Sequence, residues 1–322
     1  MNIDMIEAAA ARLNGIARRT PLLSAPALDA IAGRRVLVKP ECLQHTGSFK
    51  FRGGYSALSA LAPEVRAKGV LAFSSGNHAQ GVARAAQLFG TPAVILMPSD
   101  APKAKIEGTR SFGAEVITYD RASESREEIG ARLAADRDLT LVKPYDEPQV
   151  IAGQGTCGLE IAEQAAAEGV AEADVLVCCG GGGLTAGIAL ALEAHAPGLR
   201  VRPVEPEGYD DTARSLRSGK RESNAQEAGG LCDAILTPQP GVLTFPITSR
   251  LCGPGLVVTE EDALRAMAMA FRHLKVVAEP GGAVALAAAL FHGHDLRGDA
   301  VICTISGGNV DAAVFARALD ML

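Results

Sequence analysis

Short runs rich in β-branched residues alternate with alanine-rich stretches almost from end to end of the chain. Strands separated by helix-length crossovers pair in parallel, because a tight turn cannot reach a parallel neighbour. The alternation predicts an α/β fold, with strands over 35–39, 69–74, 92–97, 114–119, 174–179, 199–204 and 299–305. Helices follow most of them, among them 78–89, 124–135 and 184–195. Thr259 with Asp262 three residues on makes a capping box, opening a further helix over 260–274. A length of 322 residues points to about two domains. No repeat, low-complexity tract or linker divides the chain, so a second domain is expected within the first rather than behind it.

Bulk chemistry removes several classes of partner. With 31 basic against 37 acidic residues the formal net charge is −6, which disfavours nucleic acid or an anionic membrane surface. No apolar run reaches membrane-spanning length, and the start MNIDMIEAAAARL has neither the basic opening nor the cleavage site of a secretory signal. Seven cysteines, an odd number without a Cys-x-x-Cys pair, fit reduced thiols in a cytoplasmic protein. Cys178 and Cys179 are adjacent on a predicted strand and point to opposite faces, a poor metal pair.

Ligands of open parallel sheets gather at the carboxyl ends of strands. Four polar, glycine-rich runs lie at or near such ends, or at helix starts: HTGSFKFRGG at 45–54, SSGNHAQG at 74–81, CGGGGLTAG at 179–187 and SGGN at 306–309. Lys50, in the first, read alone is an ordinary surface amine. A strand running into Gly180, Gly181, Gly182 and Gly183 and then a helix turns bare backbone N–H groups toward an anion. The helix dipole supplies about 0.3–1 kcal/mol, so hydrogen bonds must do most of the holding of a phosphate. Gly181-x-Gly183-x-x-Ala186 also fits a relaxed dinucleotide fingerprint, with Glu205 placed as a ribose-binding acid. That run by itself does not choose between a nucleotide, pyridoxal phosphate and a structural turn.

At 74–78 the hydroxyls of Ser74 and Ser75, the backbone at Gly76, the Asn77 amide and His78 meet a helix start suited to a substrate α-carboxylate. Plain N-capping by Ser75 or Asn77 accounts for the same residues, and His78 alone reads as structural rather than as a base. Taken together, a reactive amine, a phosphate cradle and a polar strand-end loop are what pyridoxal phosphate requires.

In this order and at these separations the four runs resemble the serine/threonine dehydratase and serine racemase family, which includes hydroxyaspartate dehydratases. These are pyridoxal phosphate enzymes of the tryptophan-synthase-β-like class, fold type II, and the likeness covers residues 15–318. It implies two open twisted sheets, largely parallel, with flanking helices. It also implies a large domain from 1–55 and 148–322, a small mobile domain over 56–147 that closes on substrate, and a homodimer. Carried over residue by residue, Lys50 forms the internal aldimine and later carries protons. Asn77 bonds the ring oxygen, Gly180, Gly181, Gly182, Gly183 and Leu184 hold the phosphate, and Ser306 faces the pyridine nitrogen.

Three details bear on which member this chain resembles. Ser75 stands where the family's racemases carry serine and many threonine dehydratases alanine. A hydroxyl opposite Lys50 would permit two-base racemisation, while capping or carboxylate binding explains it as well. SESREE at 123–128 resembles the segment in which an arginine meets a distal substrate carboxylate. That would make Arg126 a specificity residue worth about 1.5–3 kcal/mol, against the plain alternative of a solvated helix arginine. VEPEGYDD at 204–211 resembles a divalent-cation site formed by Glu205, the backbone carbonyl of Tyr209, and Asp211. Oxygen ligands favour Mg²⁺, with Ca²⁺ or Mn²⁺ as alternatives, and simple surface acids are the competing reading.

The expected activity is that of a dehydratase, or ammonia-lyase, taking serine, threonine or 3-hydroxyaspartate to a 2-oxo acid and ammonia. Racemisation of serine or aspartate is the alternative. An NAD-dependent dehydrogenase, from the 181–186 fingerprint, is a distant one that leaves Lys50 and the 74–78 run unexplained. The chain ends thirteen residues past Asn309, so feedback control by isoleucine through an added regulatory domain is not expected.

Overall fold

The computed structural model describes residues 1–101, 103–120, 123–225 and 229–322. Among them are nine strands: β1 (Arg35–Pro40), β2 (Val70–Phe73), β3 (Ala93–Pro98), β4 (Glu115–Tyr119), β5 (Thr140–Leu141), β6 (Ala173–Cys178), β7 (Leu199–Pro206), β8 (Leu256–Val258) and β9 (Ala300–Ile305). They form a five-stranded sheet in the order β1-β9-β6-β7-β8 and a four-stranded sheet in the order β4-β3-β2-β5. Every ladder in both is parallel. The α/β reading and its two parallel sheets with flanking helices therefore hold. β5 and β8, at two and three residues, are too short to carry a periodicity of their own and add to the strands expected from sequence.

β3, β6 and β9 are buried at every residue, which is why they read as unbroken apolar runs rather than alternating ones. Successive residues of β6 serve opposite faces of the larger sheet. Leu176 and Cys178 join a cluster with Val284, Leu286 and Met267, whereas Val175 and Val177 join Ile161, Ile188 and Leu192. The helix Pro280–Phe291 supplies much of the first cluster and is buried from Pro280 to Leu290, as an all-round apolar helix must be. Each fully buried Leu, Ile or Val there contributes about 1.5–3 kcal/mol. The smaller sheet has its own cluster, built from Val70, Ile95 and Met97 with Phe51, Leu58 and Val82 of two neighbouring helices.

Those two helices, Lys50–Ala60 and Asn77–Phe89, meet backbone to backbone. A Cβ on Gly81 would lie 2.9 Å from the Lys50 carbonyl carbon, and one on Gly153 of the helix Pro148–Ala167 would lie 2.3 Å from the Arg52 carbonyl oxygen. The glycines beside Lys50 and within the 74–81 run are thus packing requirements as well as loop chemistry. The helix expected at 124–135 runs Arg126–Arg137, because the Ser125 hydroxyl accepts from the Glu128 N–H and starts it there. The Thr259–Asp262 capping box forms, and the helix Glu260–Met269 continues as a π-helical turn over Ala270–Leu274. All seven cysteines are free thiols. Among the described residues no helix is long and apolar enough to cross a membrane.

Candidate active site

A cavity of about 440 Å³ is walled by loops from both sheets, and all four glycine-rich runs contribute to its lining. Lys50, Ser74, Ser75, Gly76, Asn77 and His78 line it, as do Gly180, Gly181, Gly182, Gly183 and Leu184, and Arg126. From the fourth run Asn309 lines the cavity, while Ser306 is buried outside the lining. The Ser306 carbonyl accepts from the Phe49 N–H at 3.1 Å, and its own N–H donates to the Gly282 carbonyl at 3.1 Å. Ser306 therefore ties the loop before Lys50 to the end of β9.

Lys50 opens its helix, and its Nζ donates to the Pro144 carbonyl at 2.7 Å. Burial without a carboxylate partner lowers its ammonium to about 8, from an ordinary 10.5. That lowering favours the neutral amine, the form a nucleophilic lysine requires. His78 is buried beside it, and burial followed by the Lys50 charge pulls its imidazolium down to about 3. Neutral His78 donates Nε2–H to the Val142 carbonyl at 2.9 Å, leaving Nδ1 a buried acceptor without a protein partner.

The turn before the Asn77 helix differs from plain capping. Gly76 is the N-cap residue, no side chain caps the helix, and Ser74 Oγ instead accepts from the Gly76 N–H at 3.1 Å. The first N–H groups of that helix are consequently left for a ligand. The same holds at the glycine run. Gly182, at φ 86°, precedes the helix Gly183–His195 with no side-chain cap. A Cβ on Gly181 would lie 2.3 Å from the Tyr145 ring, and one on Gly183 would lie 2.5 Å from Gln154 Oε1, itself buried without a partner. A cradle closed to any side chain, two uncapped helix starts and two orphaned polar atoms fit a polar, phosphate-bearing ligand.

Arg126 lines the cavity half-exposed, and its Nε donates to Glu127 Oε1 at 2.7 Å. Several lining residues lie outside the expectation from sequence: Tyr119, Tyr145, Gln154, Lys105, Asp233 and Glu279. Only Glu279 carries a local signal, as an acid directly before the Pro280 that opens a helix. Burial lifts its carboxyl to about 7.

Glu205, Tyr209 and Asp211 form a separate place outside the cavity. The Glu205 oxygens accept from the N–H groups of Thr212 at 2.9 Å and Ala213 at 2.8 Å, at the start of the helix Asp211–Ser218. Glu205 is fully buried, so no ribose can reach it, which removes the physical basis for the dinucleotide reading. Burial and then the nearby Asp211 push its carboxyl well above the carboxylate range. Asp211 Oδ1 accepts from Asn224 Nδ2 at 2.6 Å, and its Oδ2 is buried without a partner. Among the described residues no group of three or more His, Cys, Asp or Glu side chains is arranged to hold a metal.

Fold and cavity are those of an α/β protein whose polar pocket sets a buried lysine amine beside a glycine cradle open to an anion. A family model described as pyridoxal-phosphate dependent enzyme matches residues 13–308, and the chain belongs to that family. It is 43% identical over 316 residues to an L-threo-3-hydroxyaspartate ammonia-lyase from Pseudomonas sp, covering 98% of this chain and 97% of the relative. Among solved structures, a T.th. threonine deaminase superposes with a TM-score of 0.90 at 43% identity, covering 97% of this chain and 99% of that one. Maize serine racemase superposes with a TM-score of 0.91 at 36% identity, covering 99% and 97%.

Proposed function

We propose that this chain is a pyridoxal phosphate-dependent ammonia-lyase that takes a 3-hydroxy amino acid to a 2-oxo acid and ammonia by β-elimination. The observation that carries this is the convergence of Lys50, the uncapped start at Asn77 and the glycine cradle on one cavity. In this reading Lys50 tethers the cofactor, and Gly180 to Gly183 with Leu184 hold its phosphate. Asn77 would donate to the ring oxygen, and Ser306 is the residue that would serve the pyridine nitrogen. Bound pyridoxal phosphate supplies the electron sink that acidifies the substrate α-hydrogen. The helix start at 74–78 grips the α-carboxylate through N–H groups and the hydroxyls of Ser74 and Ser75, with His78 a neutral acceptor beside it. Lys50 would take the α-proton and pass a proton to the β-hydroxyl, which departs as water. One water leaves and one is taken up on hydrolysis, so the net products are the 2-oxo acid and ammonia.

Serine, threonine and 3-hydroxyaspartate are the substrates proposed. Arg126, at the cavity wall, favours the last by meeting its distal carboxylate. Racemisation is the second reading, supported by the Ser75 hydroxyl at the same wall. The reading also includes the division into 1–55 with 148–322 and a mobile 56–147, a homodimer, and a cytoplasmic location, with which the free thiols agree. A Mg²⁺ ion at Glu205, the Tyr209 carbonyl and Asp211 would relieve two buried carboxyls, one with an unpartnered oxygen.

The test is 2-oxo acid release from serine, threonine and each 3-hydroxyaspartate stereoisomer, with chiral analysis of the remaining amino acid. Optical inversion that far outpaces ammonia release would favour the racemase, and no turnover of any of them would remove the proposal. Arg126→Ala should lower kcat/KM for 3-hydroxyaspartate relative to serine by about ten- to a hundredfold. An unchanged ranking takes Arg126 out of the account.

A further inference from the structure

Asn77 is gripped at both ends of its carboxamide. Its Oδ1 accepts from Asn309 Nδ2 at 2.7 Å, and its Nδ2 donates to Glu279 Oε1 at 2.6 Å. Asn309 Nδ2 also donates to the Thr46 carbonyl at 2.8 Å. A backbone carbonyl only accepts, so Thr46 settles which end of Asn309 is nitrogen, and the second N–H of that nitrogen settles which end of Asn77 is oxygen. Direction passes along one chain of hydrogen bonds, from the loop before Lys50, through the SGGN run, to the acid at 279.

Two glycines make room for it. A Cβ on Gly307 would lie 1.9 Å from Glu279 Oε1, and one on Gly47 would lie 2.7 Å from Asn309 Oδ1. The arrangement leaves Asn77, a cavity-lining residue, with its oxygen engaged and one N–H uncommitted. We infer that Glu279 and Asn309 are positioning residues that hold the Asn77 carboxamide so that it presents the cavity with a single N–H donor, selecting a ligand with an acceptor oxygen at that point. The inference rests on the pyridoxal phosphate reading above, in which the acceptor is the ring-borne oxygen. Burial and then the Asp233 charge lift the Glu279 carboxyl, while the Asn77 bond and the Lys105 charge lower it. The Glu279 charge in turn adds to the burial that raises the thiols of Cys42 and Cys232.

The experiment uses the full-length protein and two readouts independent of turnover: affinity for pyridoxal phosphate and the position of the visible band of the bound cofactor. Glu279→Ala should weaken affinity by about ten- to a hundredfold and move the band. Glu279→Gln, which keeps an acceptor for Asn77 Nδ2, should restore most of both. Adding Asn77→Ala to Glu279→Ala should cost little more, because the two act as one unit. Asn309→Ala gives the same test from the other end of the carboxamide and serves if Glu279→Ala does not fold. Variants at 279 and 309 that match wild type in affinity and band overturn the inference, as does full additivity with Asn77→Ala. Wild-type protein that takes up no pyridoxal phosphate contradicts the function proposed above instead.

Discussion

Arg52 offers the sharpest perturbation, because it is fully buried two residues from Lys50 on the same helix. Its Nε and Nη2 donate to Glu41 at 2.7 and 2.8 Å, and its Nη1 and Nη2 to Glu160 at 2.7 and 3.0 Å. Thr156 and the Arg18 carbonyl take further bonds, and Lys39 completes the group by donating to Glu160 at 2.6 Å. Burial opposes the Glu41 charge, yet Arg52 holds its carboxyl below the usual range. Arg52→Ala would strand Glu41 in the interior, a loss of about 3–5 kcal/mol for a broken buried pair. With unfolding entropy near 2.1 cal/mol/K per residue, that is a fall in melting midpoint of about 4–7 °C for a chain of this length. Calorimetry of the cofactor-free protein at neutral pH measures it. Arg52→Lys, which keeps charge without the planar fork, should fall between. A depressed carboxyl contributes stability above its unfolded value of 4.5 that is lost as pH falls through the lower folded one, so the gap between wild type and Arg52→Ala should narrow in acid. An Arg52→Ala midpoint within about 1 °C of wild type would show that Glu41 is not held by Arg52.

Other outcomes follow from the same geometry. Uptake of pyridoxal phosphate by the cofactor-free protein should accelerate as pH rises through about 8 and then level, since the neutral Lys50 amine is the attacking form. A rate that keeps climbing past about pH 10 would mean Lys50 titrates as an ordinary solvated lysine. Gly181→Ala must displace the Tyr145 ring, at an overpacking cost of about 1–3 kcal/mol, and should weaken cofactor binding about tenfold by titration; unaltered binding would show the cradle to be elsewhere. Mg²⁺ should raise the melting midpoint of wild type but not of Asp211→Asn, and equal responses would place any bound ion outside Glu205 and Asp211.

What is legible in the chain is whatever repeats locally. β3, β6 and β9 announce themselves as apolar runs, and Lys50, Ser74 to His78 and the glycines at 180–183 stand in strings whose order is informative even though each alone is ambiguous. Contacts between distant segments leave no such trace. Tyr145 closes the cradle from 36 residues before Gly181, and Glu279 reaches Asn77 across 202 positions. Arg52 looks like one more basic residue until Glu41 and Glu160 are seen around it. Capping at 74–77 is the natural local reading. It fails because Gly76 is the N-cap, no side chain caps the helix, and Asn77 lies within it with its carboxamide committed to Asn309 and Glu279.

In the chemistry proposed for this chain, one amine carries the cofactor. Protein incubated with pyridoxal phosphate, reduced with borohydride and digested should yield a single pyridoxyl-modified peptide, labelled at Lys50 within the 45–54 segment. A label on another lysine, or none on wild-type protein, would contradict the account.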